Sequence, residues 1–351
     1  MATIKDVAKL AKVSPSTVSR VIADNRRISP ATKERVQKIM RELNYHPNMI
    51  ARSLIKRSSH SLGLVLSRST DSAFSNPFFS EIIRGISAVA QSYHYSLMLA
   101  TAENYAEEAK QTLRMISEKR VDGVLLLAPR AGDALIGDLI RDDYPFVVVG
   151  RAPAGRAPGG REPEMTRCYS VNNDNIQAAY SAVRHLLSLG HQRIALLNGP
   201  EDFTFCQDRL EGYRFAFREF GIAIGLIRNG GFTQEDGYRL TKELLSEQPR
   251  PTALFCVDDL MALGAYRAIK ENGLSIPQDM AVVGFNDDPL AAIIEPHLTT
   301  VRIPIYEMGR AATEIIIRLL QGKEILPTQK ILASELIIRE SCGANPVNMQ
   351  L

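Results

Sequence analysis

The stretch Val13-Ser14-Pro15-Ser16-Thr17-Val18-Ser19-Arg20-Val21-Ile22 decides how the rest of the chain is read. Ser14 suits a helix N-cap, and Pro15 suits the first helical position, where no N–H is needed. Val18, Val21 and Ile22 recur at i, i+3 and i+4 and give the helix one apolar side. Pro15, Ser16, Ser19 and Arg20 fill the rest of the wheel with small, hydroxylated or cationic groups. A slim, basic helix rich in hydrogen-bonding groups is what a DNA major groove admits. A solvated amphipathic helix would satisfy the same residues, so the neighbours decide.

Upstream, Thr3 followed three residues later by Asp6 predicts a capping box ahead of a helix with Ile4, Val7, Ala8 and Ala11 on one side. Downstream, Ser29-Pro30 repeats the cap-plus-proline signal. It starts a third helix with Val36, Ile39, Met40 and Leu43 inward and Lys33, Arg35, Lys38 and Arg41 outward. Three short helices, the second two following a tight turn, predict a helix-turn-helix unit over residues 1–46. Pro47 ends the third helix. Residues 47–60 then read as a short hinge segment, Met49 to Arg57, with a polar link behind it.

The charge agrees with this division. The net charge is +3 over 351 residues, but up to Ser58 there are 13 Lys/Arg against 4 Asp/Glu, whereas the remainder carries 29 against 35. A basic head of +9 on a body of −6 points to a polyanion partner for the head alone. Cys168, Cys206, Cys256 and Cys342 lie far apart with no C-x-x-C spacing, which argues against a disulfide framework or a zinc site and fits a reducing cytoplasm. Neither a signal-type apolar region nor a membrane-length run is present.

Thr3-Ile4-x-Asp6-Val7-Ala8, Val13-Ser14-x-x-Thr17-Val18-Ser19-Arg20-Val21, Leu43-Asn44-Tyr45-x-Pro47-Asn48 and Ala51-Arg52-Ser53-Leu54 together resemble the signature of the lac repressor (LacI/GalR) family. The likeness continues through the body and covers nearly the whole chain. It implies a sequence-specific transcriptional regulator, a repressor, that binds double-stranded operator DNA as a homodimer. The implied DNA-binding residues are Ser14, Pro15, Ser16, Thr17, Ser19 and Arg20 in the head, with Asn48, Ala51, Leu54 and Ile55 in the hinge. Arg20 can make a bidentate contact to guanine, and Leu54 can wedge into the minor groove at the operator centre. Pro15 departs from the pattern because it cannot donate a hydrogen bond. Ile55 departs because family members often carry Lys or Ala beside the leucine.

The body, residues 61–345, alternates apolar runs with helical stretches. The predicted strands are Leu62–Leu66, Leu97–Ala100, Gly123–Leu127, Phe146–Val149, Ile194–Leu197, Ala253–Cys256 and Ala281–Phe285. Such runs imply an α/β fold with buried parallel strands in βα units. The loop Ala152–Gly160 is read as lying near a crossover between two lobes. The resemblance implies two lobes like those of periplasmic sugar-binding proteins, with a ligand in the cleft between them.

Several polar residues follow apolar runs, where the strand ends of such a cleft would be. Asn173, Arg209, Asp258 and Asn286 match effector-contact positions by resemblance, and Phe232 matches the stacking aromatic of sugar-responsive members. Phe205 and, from the first lobe, Asn76, Phe78 and Phe79 complete the candidate set. Asn173 and Arg209 are assigned to the C-terminal lobe beside Asp258 and Asn286. Asp174 and Asp259 are read as helix caps. Flat aromatic faces beside bidentate polar groups suit a polyol. Where the family often has Asp ahead of Arg151, this chain has Gly150.

No nucleophile elbow, Walker loop or H-E-x-x-H motif occurs, and the six histidines are scattered, so neither catalysis, a metal nor a cofactor is expected. The stretch Phe74–Ile82 resembles the maltose-regulator branch, which makes maltose or another α-glucoside the expected effector. A purine-responsive regulator, a regulator with a phosphocarrier corepressor, and a solute-binding protein without regulatory activity are the alternatives. The tail Ser341–Leu351 has no leucine heptads to support a coiled-coil tetramer.

Overall fold

A computed structural model describes residues 2–22, 24–45, 58–66, 74–152 and 168–344. They fall into two compact units, one within Met1–His60 and one within Ser61–Leu351. The hinge positions Asn48, Ala51, Leu54 and Ile55 lie outside the described residues.

The first unit holds α1 (Ile4–Leu10), α2 (Pro15–Ile22) and α3 (Pro30–Glu42). The capping box at Thr3 is formed in both directions with Asp6. Ser14 Oγ accepts from the Thr17 amide at 3.1 Å, and Ser29 accepts from Thr32. Each cap satisfies an amide that the first turn leaves without a helical partner. Val7, Ala8, Ala11, Val18, Val21 and Val36 form the core, and Ile22, Ile39, Met40 and Leu43 pack around it.

The second unit is built on two six-stranded sheets. The first sheet contains β1 (Ser61–Leu66), β2 (Ser96–Thr101), β3 (Gly123–Leu127), β4 (Phe146–Val149), β5 (Tyr169–Asn173) and β11 (Gln329–Leu332), in the order β11-β5-β4-β3-β1-β2. The second contains β6 (Ile194–Asn198), β7 (Ile227–Asn229), β8 (Ala253–Cys256), β9 (Ala281–Asn286), β10 (Thr299–Arg302) and β12 (Glu335–Ile337), in the order β12-β10-β9-β8-β6-β7. Every pairing is parallel except β10 with β12. The helices are α4 (Pro77–Ser92), α5 (Tyr105–Ser117), α6 (Ala134–Arg141), α7 (Asn175–Ser188), α8 (Thr204–Glu219), α9 (Gln234–Leu245), α10 (Asp259–Glu271) and α11 (Ile305–Leu320).

This is an α/β fold of two lobes, and the chain passes between them three times. It crosses from β5 into α7, from β10 into α11, and from β11 to β12. From β4 to β5 the chain stays in one sheet, so the stretch after Ala152 comes one strand ahead of the first crossing. The crossing comes after Asn173. Asn173 accordingly ends a strand of the first lobe, not the second as expected; its place next to a helix of the second lobe concealed this.

Within each lobe the helices are fixed closely. A Cβ on Gly85 of α4 would stand 2.1 Å from the Tyr306 carbonyl oxygen of α11, and one on Gly309 would stand 2.5 Å from that of Ile82. These two helices meet backbone to backbone. In the second lobe Tyr213, Phe217, Phe255 and Phe285 are among the largest fully buried side chains. Among the described residues no helix is long and apolar enough to cross a membrane.

Candidate nucleic-acid interface and effector cleft

In the first unit Ser14, Pro15, Ser16 and Arg20 are exposed, while Thr17 and Ser19 are half-buried. Ser14 Oγ and Thr17 Oγ1 lie 2.9 Å apart, so these hydroxyls also order the start of α2. Lys33, read as facing outward, is half-buried and paired with Asp24 at 2.6 Å.

In the second unit all nine candidate residues, Asn76, Phe78, Phe79, Asn173, Phe205, Arg209, Phe232, Asp258 and Asn286, line one cleft between the lobes, of about 610 Å³ with its mouth included. They arrive there because β5, β8 and β9 present their carboxyl ends to it, while α4 and α8 begin at it. Phe74 is exposed and does not reach the cleft; Phe203 sits behind it, 5.4 Å from the Phe205 ring and 5.8 Å from the Phe232 ring.

Arg209 is the most constrained of the nine. It is 5 % exposed, and Nε donates to Asn175 Oδ1 at 3.0 Å while Nη1 donates to the Val257 carbonyl at 2.5 Å. Its guanidinium lies 3.6 Å from the centre of the Phe285 ring and 4.9 Å from that of Phe205. Burial lowers its pKa to about 10, so it stays charged. Withdrawing a cation from water costs several kcal/mol. The two hydrogen bonds, the ring faces and the nearby Asp258, Asp208 and Asp259 offset that cost. The result is a fixed fork of donors at the cleft wall.

Asp258 joins the two lobes. Its Oδ2 accepts from Asn286 Nδ2 at 3.2 Å and, at 3.4 Å, from Asn76 Nδ2 at the start of α4. Its Oδ1 accepts from the Leu260 amide at 2.9 Å. Asp258 is thus the cap of α10, a role the sequence reading gave to Asp259. Asp259 is turned into the protein, where it accepts from Thr300 Oγ1 at 2.7 Å and the Asp288 amide at 2.8 Å. Burial, with Asp288 nearby, raises its pKa well above the usual carboxylate range. Asp174 does cap its helix, accepting from the Gln177 amide.

Asn286 and Asp287 have φ of +115° and +59°, unfavourable for side-chain-bearing residues, and Asn286 faces the cleft. Strain of this kind is tolerated where the surroundings dictate it. Gly150 has φ +127°, and a Cβ there would stand 2.6 Å from Pro129 Cδ. The aspartate often found ahead of Arg151 in the family cannot be placed on this backbone without moving Pro129.

Sequence reasoning missed Asn172, Asn175, Ile303 and Met308, which also line the cleft. The run Asn172-Asn173-Asp174-Asn175 after an apolar stretch was a usable signal for the amides; Ile303 and Met308 carried none. It also missed an interlobe clasp. Arg130 pairs with Asp202, the Ala131 amide donates to the Asp202 carbonyl at 2.7 Å, and Arg151 Nε contacts both oxygens of Asp208 at 2.9 and 3.0 Å.

A helix-turn-helix unit followed by a two-lobed, cleft-bearing body defines a class, the DNA-binding transcriptional regulators that respond to a small ligand. The comparisons with known proteins agree. Residues 3–48 match the model of the bacterial regulatory proteins of the lacI family, and residues 183–342 match a periplasmic binding protein-like domain. The chain is 37 % identical over 348 residues to the HTH-type transcriptional repressor CytR of Escherichia coli (strain K12), covering 98 % of this chain and 97 % of that one. It is 35 % identical over 344 residues to the repressor PurR of Vibrio parahaemolyticus, covering 97 % and 98 %. Among solved structures, the lac repressor dimer bound to operator and the anti-inducer ONPF aligns with a TM-score of 0.84 at 28 % identity, over 98 % of this chain and 99 % of that one. A complex of the transcriptional regulator CelR with cellobiose aligns with a TM-score of 0.73 at 34 % identity, over 97 % and 100 %. The chain belongs to the LacI family of transcriptional regulators. Such repressors bind operator DNA and a small-molecule effector, and the chain is a DNA-binding transcriptional repressor of this family.

Proposed function

We propose that the chain is a dimeric, sugar-controlled repressor. Ser14, Pro15, Ser16, Thr17, Ser19 and Arg20 read the operator major groove, and Asn48, Ala51, Leu54 and Ile55 engage its minor groove. The effector sits in the cleft against the phenylalanine faces, with Arg209, Asp258 and Asn286 taking its hydroxyls. One observation carries this reading: Asp258, tied to Asn76 of the other lobe, lines the same cleft as a buried Arg209 that is held in place by the protein itself. A ligand bridging the lobes favours their closure by its differential affinity for the closed state, and that coupling, about 1–3 kcal/mol, would lower operator affinity.

The choice of a sugar draws support from relatives whose structures hold cellobiose or ribose. The relatives do not single out maltose. The test is a thermal-shift panel of cellobiose, ribose, maltose and a purine, followed by operator titration with whichever compound stabilises the protein. Arg209→Ala is expected to bind operator as wild type does and to lose the response. A wild-type midpoint and amplitude in that variant would remove Arg209 from the site; stabilisation by the purine alone would overturn the sugar.

A further inference from the structure

A second hollow, about 780 Å³ of open-mouthed space, lies beside the cleft where the lobes join. Its walls are the start of α4 at Pro77 and Glu81, the loop after β9 at Asp288 and Pro289, and the crossing into α11 at Pro304 and Tyr306. Most acids on these walls have a cation. Glu81 pairs with Arg84 at 2.5 Å, Asp287 with Arg302 and Arg339 at 2.7 and 2.6 Å, and Glu307 with Arg310 at 3.4 Å.

Asp288 differs. It is 4 % exposed, and its Oδ2 is buried with no hydrogen-bond partner among the described residues. Although it precedes the 3₁₀ turn Pro289–Ala292, its side chain does not cap that turn. Burial and the neighbouring Asp258 and Asp287 raise its pKa to about 7. A carboxylate removed from water without a partner is strongly disfavoured, so a proton or an external cation has to neutralise it.

We propose that this hollow binds a small organic cation, a primary ammonium on a methylene chain, with Asp288 as its counter-ion. An ionised carboxylate only accepts hydrogen bonds, and an ammonium is a compact charge carrying three donors. Pro77, Pro289, Pro304 and the ring of Tyr306 offer apolar surface to the methylenes. Among the described residues no group of three or more His, Cys, Asp or Glu is arranged to hold a metal ion, which favours an organic cation. Pro77 belongs to one lobe and Asp288 to the other, so the occupant touches both and tunes their closure. The hollow shares Asn286 and Ile303 with the sugar cleft, but Asp288 lines only the hollow, so the proposal does not depend on the sugar reading.

Isothermal titration of the full chain with putrescine, against 1,4-butanediol at matched ionic strength, tests it. Putrescine is expected to bind saturably and the diol not at all. Asp288→Asn should weaken putrescine at least about tenfold without lowering the melting temperature, because it removes a buried, unpaired charge. Glu81→Gln, whose carboxylate already has Arg84, should change binding by less than about threefold. Equal heats from the diol, wild-type affinity in Asp288→Asn, or a putrescine signal abolished by matching ionic strength would each overturn the proposal. A greater loss in Glu81→Gln than in Asp288→Asn would overturn the role given to Asp288.

Discussion

The DNA-reading unit and the ligand-binding body handle charge in opposite ways. The first keeps its charges on the surface around a core of valines and alanines, with Lys5, Lys9, Lys12, Arg20, Arg26 and Arg27 exposed. The body takes Arg209, Asp258 and Asp259 inside and holds each with designated partners. The difference follows from the two targets. Phosphates are met at a wet interface by solvated cations that displace counter-ions, whereas a small polar molecule is distinguished by groups fixed and dried in advance.

If the two units are energetically separate, the largest effect comes from emptying the core of one. Phe217→Ala is expected to destabilise the body by about 3–5 kcal/mol. Hydrogen exchange of amides in α1 to α3 should not change; joint loss of protection would make the two units one. Next is a pH effect confined to the body. Asp288, raised from 3.8 to about 7, contributes stability that is full below pH 4 and is lost as pH rises through 7. Wild type should lose at most about 4 kcal/mol relative to Asp288→Asn over that range by calorimetry. Parallel curves would show Asp288 to be solvated like the charges of the first unit.

On the DNA side, Arg20→Ala should weaken operator binding by about 1–3 kcal/mol and relax preference at one base position. A uniform loss across sequences would reduce Arg20 to a phosphate contact. The smallest effect tests a pair that is only half in water, the exposed Arg151 with the buried Asp208. Arg151 is 41 % exposed, so Arg151→Gln should shift the effector midpoint by no more than about 1 kcal/mol, and less in high salt. A larger, salt-independent shift would place the clasp with the buried charges.

The first unit was legible almost to the residue because caps and a proline punctuate short helices: Thr3, Ser14 and Ser29 each start one. Central strands such as Gly123–Leu127 were legible as unbroken apolar runs. Ile227–Asn229, Gln329–Leu332 and Glu335–Ile337 were not, because they lie at sheet edges, are short, and bury too little to leave a pattern. Asn173, Asp258 and Asn286 could be found because polar side chains ending apolar runs fall at the carboxyl ends of strands, whereas Arg209, inside α8, and Phe232 were found by the family resemblance. Neither Asn175 nor Met308 ends such a run; both sit at the starts of helices that follow crossings. Asp258 and Asp259 could not be told apart as caps, since only the turn of the backbone between them decides which faces the helix.

The three crossings between lobes have a mechanical consequence. Their linkers are one or two residues long, Asp174, Ile303-Pro304 and Ala333-Ser334, and they leave from the strands β5 and β11 on one side and β10 and β12 on the other. These strands occupy one margin of each six-stranded sheet. With α4 and α11 locked at Gly85 and Gly309, little bending is available inside the first lobe, so motion is concentrated at that margin. Six strands span about 24 Å, so a turn of about 10° there carries the opposite margin about 4 Å. The geometry provides leverage: contacts that form close to the axis are reported, enlarged, at β2 and β7.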